Sequence, residues 1–260
     1  KQSFHKNIVQ NLNMCVIMNK VMKMTTKEYL NLIDKVNENG KFKADWSSLS
    51  QHSVPEWYMH DKLGVFIHWG VYSVPAFGNE WYSRGMYDKN SREFEHHRKT
   101  WGEQKVFGYK DFIPMFKAEK FNASDWVSLF KKAGIKYVMP VAEHHDGFAM
   151  YETEFNRWNS KEMGPMRDVV GELKAECEKQ GLELCASTHR AEHYFFMNPG
   201  RLCDSDINDE KYVDFYGPAV YCEEFDPAII HITTADTYSK GASKEWLEDW
   251  LVRTCEIIDK

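Results

Sequence analysis

The sequence predicts an α/β fold in which buried parallel strands deliver polar side chains to their C-terminal tips. Two observations predict it. Three short apolar runs each break abruptly into polar groups that include histidine. Gly64-Val65-Phe66-Ile67 runs into His68-Trp69-Gly70, and Tyr137-Val138-Met139-Pro140-Val141-Ala142 runs into Glu143-His144-His145-Asp146-Gly147-Phe148. Leu182-Glu183-Leu184-Cys185-Ala186-Ser187-Thr188 ends at His189. The second observation is that each run is followed, directly or after an excursion, by a stretch with helix start and stop signals. Three strand tips carrying histidine, with Glu80, Trp81 and Tyr82 shortly after the first, predict one polar, aromatic-walled pocket suited to a sugar.

The N-terminal stretch Lys1–Lys23 is mildly apolar, but polar residues interrupt it too often for a signal-peptide core, and no Ala-x-Ala-like site follows. Met24 is read as the natural start, with residues 1–23 not native. Thr25 caps a helix with an acid close behind, and Met24–Gly40 is amphipathic, with Tyr29, Leu30, Leu32, Ile33 and Val36 on its apolar side. Residues 1–55 are thus an N-terminal extension and helix, and 56–260 the α/β unit. After the first strand, a helix is expected from Ser124 or Asp125, either of which can cap, through Lys132, with Gly134 beyond its last turn. After the second strand, Asp168–Gln180 is helical and Gly181 stops it. After the third comes an irregular excursion, Asn198–Ala242, with turn signals at Pro199-Gly200, Asp204-Ser205-Asp206 and Gly217-Pro218. The helix Ser243–Lys260 follows. No internal repeat or low-complexity tract is visible.

Composition sets the class. Apolar residues at 43% and charged residues at 28% are ordinary for a globular chain, which excludes disorder as a whole. A formal net charge of -6, with no dense Lys/Arg stripe, argues against a nucleic-acid surface. No run of about 18 apolar residues exists, so no membrane span is expected. The cysteines Cys15, Cys177, Cys185, Cys203, Cys222 and Cys255 show no C-x-x-C pairing, which fits free thiols in a reducing compartment and a cytoplasmic location. Nine tryptophans are more than most cores need, although for any single one a core role is the commoner outcome.

His68-Trp69-Gly70, Glu80-Trp81-Tyr82 and His144-His145-Asp146-Gly147-Phe148 carry a specific resemblance through their order and spacing. The chain resembles the α-L-fucosidases of glycoside hydrolase family 29, from about Trp57 to its C-terminus. Gly164-Pro165-Met166-Arg167-Asp168-Val169-Val170 and Trp246-Leu247-Glu248-Asp249-Trp250 fit the same family. The resemblance implies a (β/α)8-like barrel catalytic domain of which only the first three or so βα units are present, since a complete barrel needs roughly 250 residues and eight strands. It implies an exo-acting, retaining hydrolase that releases terminal α-linked L-fucose from glycans through a covalent intermediate, with no cofactor and no metal. It also places the nucleophile, an aspartate ending the fourth strand, after a helix like Ser243–Lys260. Nucleophile and acid/base are therefore expected beyond Lys260, and a chain ending there is expected to be inactive.

The substrate-binding set is His68, Glu80, Trp81, His144, His145, Trp158 and His189. Neutral imidazoles donate and accept, as sugar hydroxyls require, Glu80 can accept two hydroxyl protons, and Trp81 offers an apolar wall with an N–H donor. Trp158 is expected on the rim. His144 and His145 are neighbours, so they need a bend at the strand tip to share a site, and Gly147 makes one feasible. Asp146 is then read as orienting a histidine or capping a turn. Each histidine alone is as readily a structural one; it is their placement at successive strand ends that favours binding. Many relatives in the family it resembles carry tyrosine near the third tip, where this chain has Ser187-Thr188-His189. His96-His97 reads as a solvated loop pair. Two other classes stand beside the fucosidase reading. One is a non-catalytic carbohydrate-binding homologue. The other is a zinc hydrolase on His144, His145, His189 and His193, prompted by the H-x-x-E-H pattern His189-Arg190-Ala191-Glu192-His193.

Overall fold

The computed structural model describes residues 24–217 and 242–260. Its centre is a parallel sheet of β1 (Gly64–Ile67), β2 (Tyr137–Glu143), β3 (Glu183–Leu184) and β4 (Ser187–Thr188), with β2 between β1 on one side and β3 and β4 on the other. Gly64 to Ile67 of β1 pair with Tyr137 to Pro140 of β2. The third predicted strand is real but broken. β3 pairs with Tyr137–Val138, β4 with Val141 and Glu143, and a bulge separates the last two pairings. Backbone pairing nevertheless runs to the tip, because His189 N–H donates to the Glu143 carbonyl at 2.8 Å.

Helices α1 (Thr26–Asn39), α2 (Arg92–Thr100), α3 (Ala123–Lys132), α4 (Val169–Gln180), α5 (Arg190–Phe196) and α6 (Lys244–Asp259) are the longest. Their ends follow local chemistry. Thr25 and Glu28 form a reciprocal capping box at α1. The side chain capping α3 belongs to Asn122, two residues before the expected Ser124 and three before Asp125, and it accepts from Asp125 N–H. Asp168 caps α4, which ends at Gly181 in the left-handed region (φ 77), and Ser243 caps α6. Tyr29 and Ile33 of α1 are buried against Val252 of α6, whereas Val36, expected on the apolar side, is exposed. The Tyr29 hydroxyl also donates to Asp259.

Two expectations change here. His96-His97 is no solvated loop pair: both lie on α2, His96 stacks on Phe77 at 3.7 Å, and His97 is fully buried between the Tyr82 hydroxyl (3.1 Å) and the Phe107 carbonyl (2.8 Å). The start of the irregular excursion is ordered into short helical turns held to the core by buried Asp206, which accepts from the Tyr87 and Tyr216 hydroxyls. Many of the largest buried side chains are aromatic, so several of the tryptophans and tyrosines serve packing; Trp69, for example, sits among Phe116, Phe121 and Trp126. Cys177, Cys185, Cys203 and Cys255 are free, and Cys15 and Cys222 lie outside the described residues. Among the described residues no helix is long and apolar enough to cross a membrane.

Candidate functional site

The three strand tips meet, and their histidines touch. His144 and His189 stack with ring centroids 4.6 Å apart, and His68 meets them edge-on at 5.7 and 5.6 Å. His145 stands perpendicular to both, 4.4 Å from His144 and 4.6 Å from His189. Trp81 contacts His145 edge-on at 5.5 Å. Glu80 and His68 line an open cavity of about 240 Å³, together with Tyr72, Ser73 and Asn79. Of the seven predicted residues, His68, Glu80, Trp81, His144, His145 and His189 are thus brought to one place. Trp158 is buried elsewhere: its ring stacks on Phe215 at 4.5 Å beneath the Arg157 guanidinium, and no ring contact among the described residues joins it to the histidines.

Adjacent residues of a strand face opposite sides, so the shared location of His144 and His145 needs explanation. β2 ends at Glu143, and a turn closes with Gly147 N–H on the His144 carbonyl at 3.1 Å. Gly147 has φ 80, and a Cβ there would lie 2.8 Å from the His193 ring. Asp146 caps this turn, accepting from Phe148 N–H at 3.0 Å, and its other oxygen accepts from the buried Tyr109 hydroxyl at 2.6 Å.

Glu143 points away from the cavity. Fully buried, it accepts from Arg190 (3.2 Å) and Arg253 (3.3 Å), and both arginines also bind Asp249. Two carboxylates and two guanidiniums therefore form a neutral cluster beneath the site. It joins the tip of β2 to the residue following His189 and to helix α6.

Burial, followed by the neighbouring imidazoles, holds His144 down to about 2 and His145 down to about 3, and burial also lowers His189. The rings are therefore neutral at ordinary pH and act as both donors and acceptors. His189 Nδ1 lies 3.0 Å from His145 Nε2. His145 Nδ1 lies 2.6 Å from Glu192 Oε2, off the hydrogen-bond direction. Both nitrogens of His144 are buried without a partner, as is the Tyr72 hydroxyl, whose ring lies 4.8 Å from His144. Unsatisfied polar atoms of this kind are rare in folded chains and mark a place for a ligand or water. Burial raises Asp146 to about 6.

His193 does not join the group. Its nitrogens face the carbonyls of His145 (2.5 Å) and Phe215 (2.8 Å), so the H-x-x-E-H pattern does not aim two histidines at one point. Sequence reasoning missed Tyr72 and Phe196. Phe196 stacks on His145 at 4.6 Å, and its signal was its place seven residues after His189, two turns along one helix face. Tyr72 follows His68 by four residues, close enough to the tip to be a candidate.

Several known proteins are similar to this chain. The chain is 41% identical over 142 residues to the tissue alpha-L-fucosidase of Rattus norvegicus, covering 54% of this chain and 30% of that protein. It is 30% identical over 235 residues to the alpha-L-fucosidase of Dictyostelium discoideum, covering 87% of this chain and 49% of that protein. The alpha-fucosidase of Thermotoga maritima, solved in complex with fucose, superposes with a TM-score of 0.54 at 42% identity over 56% of this chain and 37% of that one. Its complex with a mechanism-based inhibitor gives 0.56 at 36% identity over 67% and 45%. The chain thus spans between about a third and a half of the length of these relatives. The family profile described as Alpha-L-fucosidase matches residues 30–260, and the chain belongs to that family.

Proposed function

We propose that this chain supplies the fucose-holding part of an exo-acting, retaining α-L-fucosidase, built on the first strands of a (β/α)8-like barrel. One observation carries the reading: His68, His144, His145 and His189, with Trp81 and Glu80, converge at parallel strand tips beside an open cavity, and both nitrogens of His144 lack partners. Neutral imidazoles and a carboxylate match the ring hydroxyls of a fucosyl unit, and the Trp81 edge suits its C6 methyl. Terminal α-linked fucose of an oligosaccharide or glycoconjugate is the substrate class.

Retaining hydrolysis needs two carboxyls about 5–5.5 Å apart, one attacking C1 and one protonating the departing oxygen. Glu143 is held in ion pairs, Asp146 caps a turn, and Glu192 lies against His145, so none is free to attack. The two reacting carboxyls are assigned to the family's fourth strand and beyond, outside these 260 residues. The test is calorimetric titration of the chain with L-fucose, paired with an aryl fucoside assay. Saturable fucose binding without turnover is expected. Absence of binding, or turnover abolished by Glu143→Gln or Glu192→Gln, would overturn the assignment.

A further inference from the structure

We propose that His68, His144 and His189 form a site for a divalent transition cation of the zinc type, and that this cation competes with the sugar for the same ring nitrogens. One nitrogen from each of the three lies within 4.8 Å of the other two. Three imidazoles sharing a tetrahedral ion at Zn–N of about 2.0–2.1 Å carry their ring centres about 5 Å apart. The observed centroid separations of 5.7, 5.6 and 4.6 Å form a triangle of nearly that size.

The availability of lone pairs supports the set. His144 has two buried nitrogens with no hydrogen-bond partner, so a ligand there displaces no existing bond. His189 is oriented through its neighbours. His189 Nδ1 faces His145 Nε2 at 3.0 Å and, as the donor there, keeps its proton on Nδ1, with the Glu192 carboxylate close to the far side of the His145 ring. The His189 lone pair then sits on Nε2. Carboxylate–imidazole chains of this kind set the tautomer and orientation of metal-binding histidines. His68 is exposed at the tip of β1 and lines the open cavity, which leaves a fourth position accessible to water.

The second acid-containing group, His145, His189 and Glu192, is better explained as this orienting chain, because its nitrogens already face one another. Neutral nitrogen ligands select zinc, copper or nickel over magnesium and calcium, which prefer oxygen. Ion binding rests on the geometry alone; competition with sugar rests on the fucose reading as well.

The test is calorimetric titration of the full chain with zinc chloride, with the visible spectrum of bound cobalt(II) as the geometric readout. One ion per chain is expected. His144→Ala and His189→Ala should each weaken it by more than about tenfold, and Glu192→Gln by about tenfold at an unchanged melting temperature. His52→Ala, at an exposed site apart from the cluster, should change nothing. Binding that persists in both His144→Ala and His189→Ala, or no saturable binding at all, would overturn the site. The unmutated protein gives an arm that does not depend on variants folding. Zinc should raise the apparent Kd for L-fucose in proportion to its concentration, and independent binding of both would refute the competition. If L-fucose does not bind even without zinc, the sugar reading fails, and the zinc titration alone decides the metal site.

Discussion

Replacing Glu143 by alanine tests the claim that this carboxylate is a structural anion rather than a reacting one. The side chain is fully buried, within 3.2 and 3.3 Å of two arginines that are themselves 4% and 5% exposed. Asp249 remains as their only other acid in the cluster, so the substitution leaves two guanidiniums sharing one carboxylate. Breaking a buried pair in this way costs about 3–5 kcal/mol. At roughly 2–4 °C per kcal/mol for a chain of this size, the melting temperature should fall by roughly 6–20 °C. Circular dichroism of the thermal transition measures it. The double variant Glu143→Ala with Arg253→Ala should lose less than the two single losses combined, since each alone strands a partner. A drop below about 2 °C for Glu143→Ala, or strict additivity, would refute the reasoning.

His144→Phe keeps the ring but removes both nitrogens, and should weaken L-fucose by roughly 5–150-fold in calorimetry, from the 1–3 kcal/mol penalty of unmatched hydroxyls. Trp81→Ala should weaken it by roughly 2–10-fold, the range of one aromatic contact, with little change in melting temperature. Stability should fall as pH is lowered below 6.5. His144, His145 and His193 are depressed to between about 2 and about 3, so over that window the unfolded chain binds more protons. Each can remove up to about 1.4 kcal/mol per pH unit. Asp146, raised to about 6, works oppositely between 6 and its ordinary 3.8, where the folded state binds the extra proton. Urea unfolding at pH 8, 6.5 and 5 measures the balance, and equal stability at pH 8 and 5 would contradict the neutral-histidine picture.

What could be read in the sequence was whatever local pattern controls. The apolar runs of β1 and β2 and their abrupt polar ends are statements about single segments, and so are the cap Thr25 and the helix starts at Asp168 and Ser243. The convergence of the histidines followed because tips of neighbouring parallel strands must lie together. What stayed hidden depends on partners distant in sequence. His97 sits in a charged stretch and looks solvated, but Tyr82 and the Phe107 carbonyl satisfy its nitrogens, which is what permits its burial. Trp158 follows β2 closely, as a rim residue would, yet Phe215 gives it a flat apolar surface more than 50 residues away. Nothing local to Arg190 or Arg253 announces that Glu143 lies between them.

That hidden cluster explains why the visible site can be neutral. A sugar pocket of several imidazoles would be costly if any ring carried a charge away from water, and burial suppresses that charge in His144 and His145. The acid at the tip of the same strand could have reversed this by pulling protons onto its neighbours. Instead Glu143 turns to the opposite face, where Arg190 and Arg253 neutralise it. The residue alternation of β2 does the sorting, with Glu143 directed to the ion cluster and His144 to the histidine cluster. The turn closed by Gly147 then returns His145 to the histidine cluster. A single strand end thus separates its charge from its hydrogen-bonding groups. A Gly147→Val substitution, strained by its positive φ and crowding His193, should cost sugar affinity by displacing His145, even though residue 147 itself touches no ligand. Fucose affinity unchanged in a folded Gly147→Val protein would show that the turn does not position His145.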